Sequence, residues 1–284
     1  MEERLEPLLV ERAPWLFEPG IRSAICKPIL DKMLNYQYTL ELGRQMDPLS
    51  AEDMMTEVQK MLAKHLTVKS LSNLPASGPA MIVANHPTGI ADGLMLNEAM
   101  SSIRNDAFFY ANSDIIRVFP QYATVIAPVE WRLEKRSHAK MKETIGFTRK
   151  AVDQGRIGVI FPSGRLAKRR GLRLYERPWM ASAATIARKF DLPIIPVNIR
   201  ARNSALFYFF DLIHPTLRDI TLFYEMLNKD RQPFHIAFGE PISPSSLPKD
   251  AEEAIELLRR ETLRLGEPSL TLVSREMRPA SALF

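Results

Sequence analysis

The sequence predicts an α/β fold, in which a mixed, largely parallel sheet is flanked by helices and preceded by an N-terminal helical pair. Short apolar runs alternate with longer amphipathic segments after residue 70, which is the pattern of such a sheet. Before residue 70, apolar residues recur at helical spacing among charges. The chain has 284 residues, 46% of them hydrophobic, so it can bury one substantial core. We therefore expect a helical segment over 1–70 and the main domain over 71–284.

The helical pair is expected over Ile21–Met46 and Ala51–His65, because Asp47-Pro48-Leu49-Ser50 between them has turn chemistry and an N-cap residue. Further strands are predicted at Ala80–Ala84, Ala107–Tyr110, Thr124–Ala127, Ile157–Phe161, Ile194–Ile199 and Phe234–Phe238. The clearest helices between them are Lys135–Gln154, Trp179–Phe190 and Ala251–Leu265.

Charge and cysteine content restrict the classes of function. The formal net charge of +5 favours an anionic partner, which could be nucleic acid, a phosphorylated metabolite or an anionic lipid surface. The single Cys26 excludes an internal disulfide and is expected to be a packed residue. We expect no secretory signal, and no stretch approaches the roughly 20 apolar residues that span a bilayer. A membrane-bound form would therefore lie on the bilayer surface, with the aromatic cluster Phe207–Phe210 as an interfacial or buried helix.

The stretch Asn85–Asp92 carries an imidazole and a carboxylate directly after the predicted strand Ala80–Ala84. Ligands of open α/β sheets bind beyond the carboxyl ends of the strands, which favours chemistry at His86. A general base oriented by Asp92 is one interpretation. The other is a histidine that is only packed beside a strand end, and the octapeptide alone does not choose between them.

A second segment places a turn and a cationic run after the strand that begins at Ile157. Pro162 and Gly164 permit a tight bend whose backbone N–H groups can face a ligand, and Arg165 can bind a phosphate with two parallel hydrogen bonds. The cations that add to the positive field are Lys168, Arg169, Arg170 and Arg173. The structural alternative is a solvated basic surface.

These two segments resemble the glycerolipid and lysophospholipid acyltransferase (PlsC-like) superfamily. Asn85–Asp92 resembles its His-Asp motif, and Phe161–Arg165 resembles its Phe-Pro-Glu-Gly-Thr-Arg block. Leu192–Val197 is similar to the family's late apolar-proline strand, and Val125–Arg132 lies where an acceptor-binding arginine is expected. The resemblance implies His86 and Asp92 as catalytic residues. It implies the substrate-binding residues Arg132, Phe161, Pro162, Ser163, Gly164, Arg165, Lys168 and Arg169.

The chain departs from the family pattern in two places. Five residues separate His86 from Asp92, where the usual motif has four, and this spacing resembles that of hemolysin-like and related bacterial branches. Ser163 replaces the family's glutamate, which removes a charge near the acceptor. The match around Arg132 is looser, so either Arg132 or Arg136 could be the acceptor-binding residue.

The resemblance implies an O-acyltransferase that moves a fatty acyl chain from acyl-CoA or acyl carrier protein to the free hydroxyl of a lysolipid. Lysophosphatidate is the commonest acceptor in the family, and a lyso-aminolipid such as lyso-ornithine lipid is the alternative. His86 would remove the hydroxyl proton, and Asp92 would fix its tautomer and stabilise the imidazolium. The oxyanion would be stabilised by backbone N–H groups near Gly164 or by Arg165.

No cofactor and no metal are expected. The expected partners are the lysolipid, the acyl donor and a membrane surface, with no nucleic acid, and the expected location is peripheral on the cytoplasmic face of the inner membrane. The remaining histidines do not stand at metal-ligand spacing from one another or from a cysteine: His65, His138, His214 and His235. Ser163 lacks the flanking pattern of a nucleophile elbow. The competing functions are a non-catalytic protein that binds anionic lipids and a hydrolase of thioesters or phosphoesters.

Overall fold

The computed structural model of the chain describes residues 1–130, 137–171, 173–266 and 277–279. Its main sheet has seven strands: β1 (Leu66–Lys69), β2 (Ala80–Ala84), β3 (Phe108–Ala111), β4 (Ile126–Pro128), β5 (Ile157–Ile160), β8 (Ile194–Arg200) and β9 (Phe234–Phe238). A second, three-stranded sheet is formed by β6 (Lys168–Arg170), β7 (Arg173–Glu176) and β10 (Met277–Pro279).

The main sheet is mixed and largely parallel, as the sequence predicts. Its spatial order is β1-β9-β8-β2-β5-β3-β4. Strands β3, β4, β5, β8 and β2 run in one direction, whereas β9 pairs antiparallel with β8 and carries β1 parallel to itself. Because β2 lies between β5 and β8, the turns that follow β2 and β5 emerge side by side at the same edge of the sheet.

Helices cover both faces of the sheet. They are α1 (Glu2–Arg12), α2 (Ile21–Met33), α3 (Tyr36–Met46), α4 (Ala51–Leu62), α5 (Ile90–Met100), α6 (Asp114–Val118), α7 (His138–Asp153), α8 (Ser182–Lys189), α9 (Ala205–Ile213), α10 (Pro215–Ile220), α11 (Leu222–Leu227) and α12 (Ala251–Arg264). In β2, Ile82 packs in one buried cluster with α4 and α5, and Val83 packs in the other with α8 and α12. Alternate residues of one strand thus fill two cores, which is why β2 is apolar at every position.

The N-terminal segment contains four helices among the described residues, where the sequence predicted two. The expected helix Ile21–Met46 is interrupted at Asn35, which adopts the left-handed conformation (φ 51°, ψ 43°) and separates α2 from α3. The expected start of α4 is confirmed, since the Ser50 hydroxyl accepts a hydrogen bond from the Asp53 N–H at 3.1 Å. Strand β1 lies before residue 71 and pairs with β9, and the division of the chain into two domains stays a prediction.

The aromatic cluster after β8 forms α9, whose first residues pack inward. Phe207, Tyr208 and Phe210 are buried, while Phe209 is 56% exposed together with Leu212 and Ile213 at the end of the helix. Part of the cluster is therefore core, and part is an apolar surface. Within the described residues, no helix combines the length and the apolar character needed to cross a membrane.

Candidate active site

Asn85 fixes the backbone directly before His86. Its side chain is completely buried and forms two hydrogen bonds with one residue of β8. The amide Nδ2–H donates to the Ile199 carbonyl at 2.8 Å, and Oδ1 accepts the Ile199 N–H at 2.7 Å. This pair holds the end of β2 to the neighbouring strand, so the loop that carries His86 leaves the sheet from a fixed point.

His86 and Asp92 form a direct hydrogen bond. His86 Nδ1 lies 2.9 Å from Asp92 Oδ2, and the side chains are 19% and 0% exposed respectively. The carboxylate also accepts the N–H groups of Thr88 at 2.8 Å and Gly89 at 3.0 Å through Oδ2, and the Thr88 hydroxyl at 2.5 Å through Oδ1. Because an ionised Asp92 only accepts hydrogen bonds, Nδ1 carries a proton and Nε2 is left as the basic nitrogen.

Gly89 allows the five residues between His86 and Asp92 to form a tight turn. Its backbone has φ 100° and ψ −135°, a conformation that side-chain-bearing residues avoid. It precedes the first residue of α5, so Asp92 stands in the first turn of that helix, where the exposed N–H groups favour a negative charge. The longer spacing is therefore compatible with a direct contact between the imidazole and the carboxylate.

The second predicted segment lies against the first. The Phe161 ring stacks on the His86 imidazole, with ring centroids 4.3 Å apart and an interplanar angle of 21°. The His86 carbonyl accepts the Ala167 N–H at 2.9 Å, which joins the two loops through their backbones. The structure thus brings His86, Asp92 and Phe161 together at the edge where β2 and β5 end.

The turn Phe161–Arg165 uses part of its own hydrogen-bonding capacity. The Gly164 N–H donates to the Phe161 carbonyl at 2.9 Å, and the residue has φ 59°. This amide closes the turn, and stabilisation of an oxyanion by other backbone N–H groups near Gly164 or by Arg165 stays a prediction. Ser163 and Pro162 are buried, and the Ser163 hydroxyl donates to the Arg165 carbonyl at 2.8 Å. Arg165 is exposed.

The basic run after this turn is a strand and not an irregular loop. Lys168–Arg170 form β6, which pairs antiparallel with β7. Lys168 is exposed, whereas Arg169 is half-buried, with its guanidinium 5.8 Å from the centre of the Tyr208 ring and its NH1 donating to the Gly171 carbonyl at 2.9 Å. Arg132 and Arg136 lie outside the described residues, so the acceptor-binding arginine predicted there stays a prediction.

Glu176 is the residue of this site that the sequence interpretation missed. It is completely buried at the end of β7, and its Oε1 accepts the indole N–H of Trp179 at 2.8 Å. Its Oε2 lies 3.4 Å from the backbone nitrogen of His86. Burial raises the pKa of Glu176 to about 7, while hydrogen bonds from Trp179, His86 and Ser163 and the His86 charge oppose this rise. The sequence held one sign of its importance: Glu176 is the single acidic residue between Asp153 and Asp191, within an otherwise basic segment.

A second buried network supports the His86 loop from the side of β8. Lys229 has a completely buried ammonium group that donates to Asn203 Oδ1 at 2.7 Å and pairs with Glu225 at 3.0 Å. Asn203 in turn lies 3.4 Å from the Thr88 carbonyl. Burial lowers the pKa of Lys229, and the Glu225 carboxylate opposes this effect. The group stabilises the loop and has no exposed face toward a substrate.

Cationic groups also gather near the site. Arg177 is half-buried, and its Nε–H donates to the Leu166 carbonyl at 2.9 Å. Burial lowers the pKa of Arg177, and the nearby cations of Arg165 and Arg218 lower it further. Arg218 is already paired with Asp211 at 3.0 Å and Asp219 at 2.6 Å, so Arg165 and Arg177 are the cations that favour an anion here. Among the described residues, no group of three or more His, Cys, Asp or Glu side chains could hold a metal ion.

The chain is similar in sequence to known acyltransferases. A family described as acyltransferase matches residues 65–200, which include both loops of the site. Two curated relatives are named lyso-glycine lipid O-acyltransferase. The one from Phocaeicola vulgatus is 27% identical over 197 residues, covering 67% of this chain and 68% of the relative. The one from Bacteroides thetaiotaomicron is 25% identical over 197 residues, covering 67% of this chain and 70% of the relative.

Among solved structures, the 1-acyl-sn-glycerophosphate acyltransferase PlsC from Thermotoga maritima aligns with a TM-score of 0.48 and 14% identity. The alignment covers 86% of this chain and 97% of that chain. The acyltransferase family match over residues 65–200 contains the paired His86 and Asp92, and together with the two curated relatives it supports an acyltransferase.

Proposed function

We propose that the chain transfers a fatty acyl group from an acyl thioester, acyl-CoA or acyl carrier protein, to the free hydroxyl of a lysolipid, with His86 as the general base. The observation that carries this proposal is the hydrogen bond of 2.9 Å between His86 Nδ1 and the buried Asp92. It leaves Nε2 basic on a side chain that is still 19% exposed.

The proposed reaction needs no covalent enzyme intermediate. The hydroxyl oxygen attacks the thioester carbonyl carbon while its proton moves to His86 Nε2, and the carbon–sulfur bond then breaks. The proton passes to the departing thiolate, which leaves as a thiol. Asp92 stabilises the imidazolium that exists between the two proton transfers. Ser163 is not needed as a nucleophile, and its hydroxyl is already bound to the Arg165 carbonyl.

We assign the acceptor to lysolipids with an anionic head group, and among these to lyso-aminolipids before lysophosphatidate. The cations of Arg165 and Arg177 support an anionic group in general. Both curated relatives are named for a lyso-glycine lipid, which is an amino-acid lipid. Ser163 in place of a glutamate also departs from the glycerophosphate pattern.

We further propose that the protein works peripherally on the cytoplasmic face of the inner membrane. The helix α2 exposes an apolar stripe at four-residue spacing: Ile21 (82% exposed), Ile25 (57%), Ile29 (53%) and Met33 (43%). The cations Arg22 and Lys32 on the same helix are exposed. Buried residues of α2 and α9 meet in one cluster, and α9 adds the exposed Phe209, Leu212 and Ile213. Apolar side chains flanked by cations suit an anionic bilayer surface.

The membrane proposal is tested by sedimentation with vesicles that contain anionic lipid. Ile25→Glu is expected to weaken binding at least several-fold, because it places a charge within the apolar stripe. Gln37→Glu is the matched control, since it adds the same charge at an exposed position of α3. Equal binding by both variants and the unaltered protein would contradict the proposal.

The catalytic proposal is tested with purified protein, labelled acyl-CoA or acyl carrier protein, and a panel of lysolipids analysed by mass spectrometry. We expect acylated product from a lyso-aminolipid and none without an acceptor. Release of free fatty acid in the absence of a lysolipid would indicate a hydrolase. Vesicle binding without any consumption of donor would indicate a lipid-binding protein, and inhibition by chelators would indicate a metal requirement.

A further inference from the structure

Glu176 is a buried carboxylate that the reaction proposed above does not use, although it contacts the loop of the proposed base. It belongs to β7, 90 residues after His86 in the chain, and its side chain has no exposed surface. An ionised carboxylate is expensive to bury unless hydrogen-bond donors surround it. Three donors meet this one, and two of them belong to the two loops of the site.

The first donor, Trp179, fixes the orientation of the carboxylate. Its indole N–H lies 2.8 Å from Oε1, and the ring is itself buried. The second donor is the backbone N–H of His86, 3.4 Å from Oε2. The third is the Ser163 hydroxyl in the turn that follows β5, whose single proton can be donated either to Glu176 or to the Arg165 carbonyl at 2.8 Å. One carboxylate thus connects the loop after β2 with the turn after β5.

The carboxylate also faces the imidazole as a charge. The positive charge of a protonated His86 stabilises the ionised form of Glu176, so the ionised form of Glu176 stabilises a protonated His86. Asp92 contacts the same imidazole through Nδ1. Among the described residues, Arg177, its neighbour in the chain, also interacts with the charge of Glu176. Two buried carboxylates, Asp92 and Glu176, therefore interact with the proposed base.

We propose that Glu176 is a positioning residue for acyl transfer. In its ionised form it holds the His86 backbone and the Ser163 turn in one arrangement, and it adds a second negative charge against the imidazolium that forms during the reaction. This inference rests on the proposed role of His86 as general base. The Phe161–Arg165 turn has Ser163 where the related family motif has a glutamate. The Glu176 carboxylate comes from a different segment of the chain.

The proposal predicts that, at low pH, kcat/KM depends on the deprotonation of two groups. His86 must be neutral to accept a proton, and Glu176 must be ionised to accept its hydrogen bonds. Log kcat/KM should therefore rise with a slope approaching two at low pH. Glu176→Gln preserves the shape of the side chain and removes the charge. We expect the slope to fall to one and kcat to fall about 10- to 100-fold, because the base is less well positioned.

Trp179→Phe is a second variant that keeps Glu176 in place. Since the indole N–H lowers the pKa of Glu176, its removal should move the Glu176 deprotonation about one pH unit higher. A merely structural contact would change stability or kcat, but it would not shift the pH range over which kcat/KM rises at low pH. Trp179→Phe decides the question if Glu176→Gln does not fold. If kcat/KM of Trp179→Phe rises over the same pH range as that of the unaltered protein, the proposal is overturned.

Glu240→Gln is the matched control, since Glu240 is exposed and the same chemical change there should leave the slope and the rate unaltered. A folded Glu176→Gln variant with the full rate and a slope of two would refute the role of Glu176. The proposed function is tested separately by His86→Ala. Loss of activity in His86→Ala together with an unaffected Glu176→Gln would refute only the positioning role.

Discussion

Replacement of Asp92 by asparagine separates the charge of the carboxylate from its hydrogen bonds. Oδ2 accepts three N–H groups, so the amide oxygen of an asparagine must take this position. The amide nitrogen then takes the Oδ1 position, where the Thr88 hydroxyl can rotate to accept a hydrogen bond. Asp92→Asn can therefore keep four hydrogen bonds and the tautomer of His86, and lose only the negative charge.

The magnitude follows from the geometry of the pair. With Nδ1 and Oδ2 separated by 2.9 Å, the centres of the two charges lie about 4 Å apart, and a unit charge pair at this separation is worth about 4 kcal/mol at an effective dielectric constant of 20. Loss of about 3–4 kcal/mol of imidazolium stabilisation should lower kcat about 10²- to 10³-fold. Asp92→Ala should in addition lower the free energy of unfolding by several kcal/mol, because the buried N–H groups of Thr88 and Gly89 lose their acceptor.

The assay is steady-state acyl transfer with labelled donor, combined with urea unfolding of each variant. Asp250→Asn is the control, because Asp250 also accepts two backbone N–H groups at a helix start, but directly before α12. A folded Asp92→Asn protein with the rate of the unaltered chain would refute a role for the Asp92 charge. Equal free energies of unfolding for Asp92→Asn and Asp92→Ala in urea would refute the distinction between charge and hydrogen bonding.

Three other substitutions follow from the same contacts. Phe161→Ala should lower kcat about tenfold or more with less effect on unfolding, since the ring orients the imidazole at 4.3 Å; unchanged kcat would contradict this. Asn85→Ala should reduce the free energy of unfolding by about 2–4 kcal/mol in urea, because the buried Ile199 N–H and carbonyl lose their partners. Burial raises the pKa of Glu176 from 4.5 to about 7, so the folded state holds its proton longer than the unfolded state does. Stability should thus fall as pH rises between about 4.5 and 7, with a slope approaching 1.4 kcal/mol per pH unit, and Glu176→Gln should remove that slope.

The part of the site that the sequence revealed is local in the chain. His86 and Asp92 share one turn, and Phe161 directly follows a predicted strand, which the structure pairs parallel with β2. The sequence did not identify Glu176 as a site residue, because its contact with His86 spans 90 residues and depends on the β6–β7 hairpin. The hairpin was not predicted, since the charges of Lys168–Arg170 are also typical of a solvated basic surface.

The fold shows the same division between strong local signals and tertiary ones. Strands such as β2, buried on both faces, were recognisable as continuous apolar runs. Strand β1 has four residues that alternate between half-buried and exposed, so its pairing with β9 left only a weak pattern. Asn35 ends α2 by adopting a left-handed conformation, which composition and spacing alone do not require.

The most direct test of the general-base assignment is the rate of acyl transfer by His86→Ala on the acceptor that the unaltered protein acylates. We expect kcat to fall about 10²- to 10⁴-fold, with the variant still folded and still bound to anionic vesicles, because the substitution removes the base and leaves the apolar surface of α2 intact. A folded His86→Ala protein that acylates the lysolipid at the original rate would contradict the assignment.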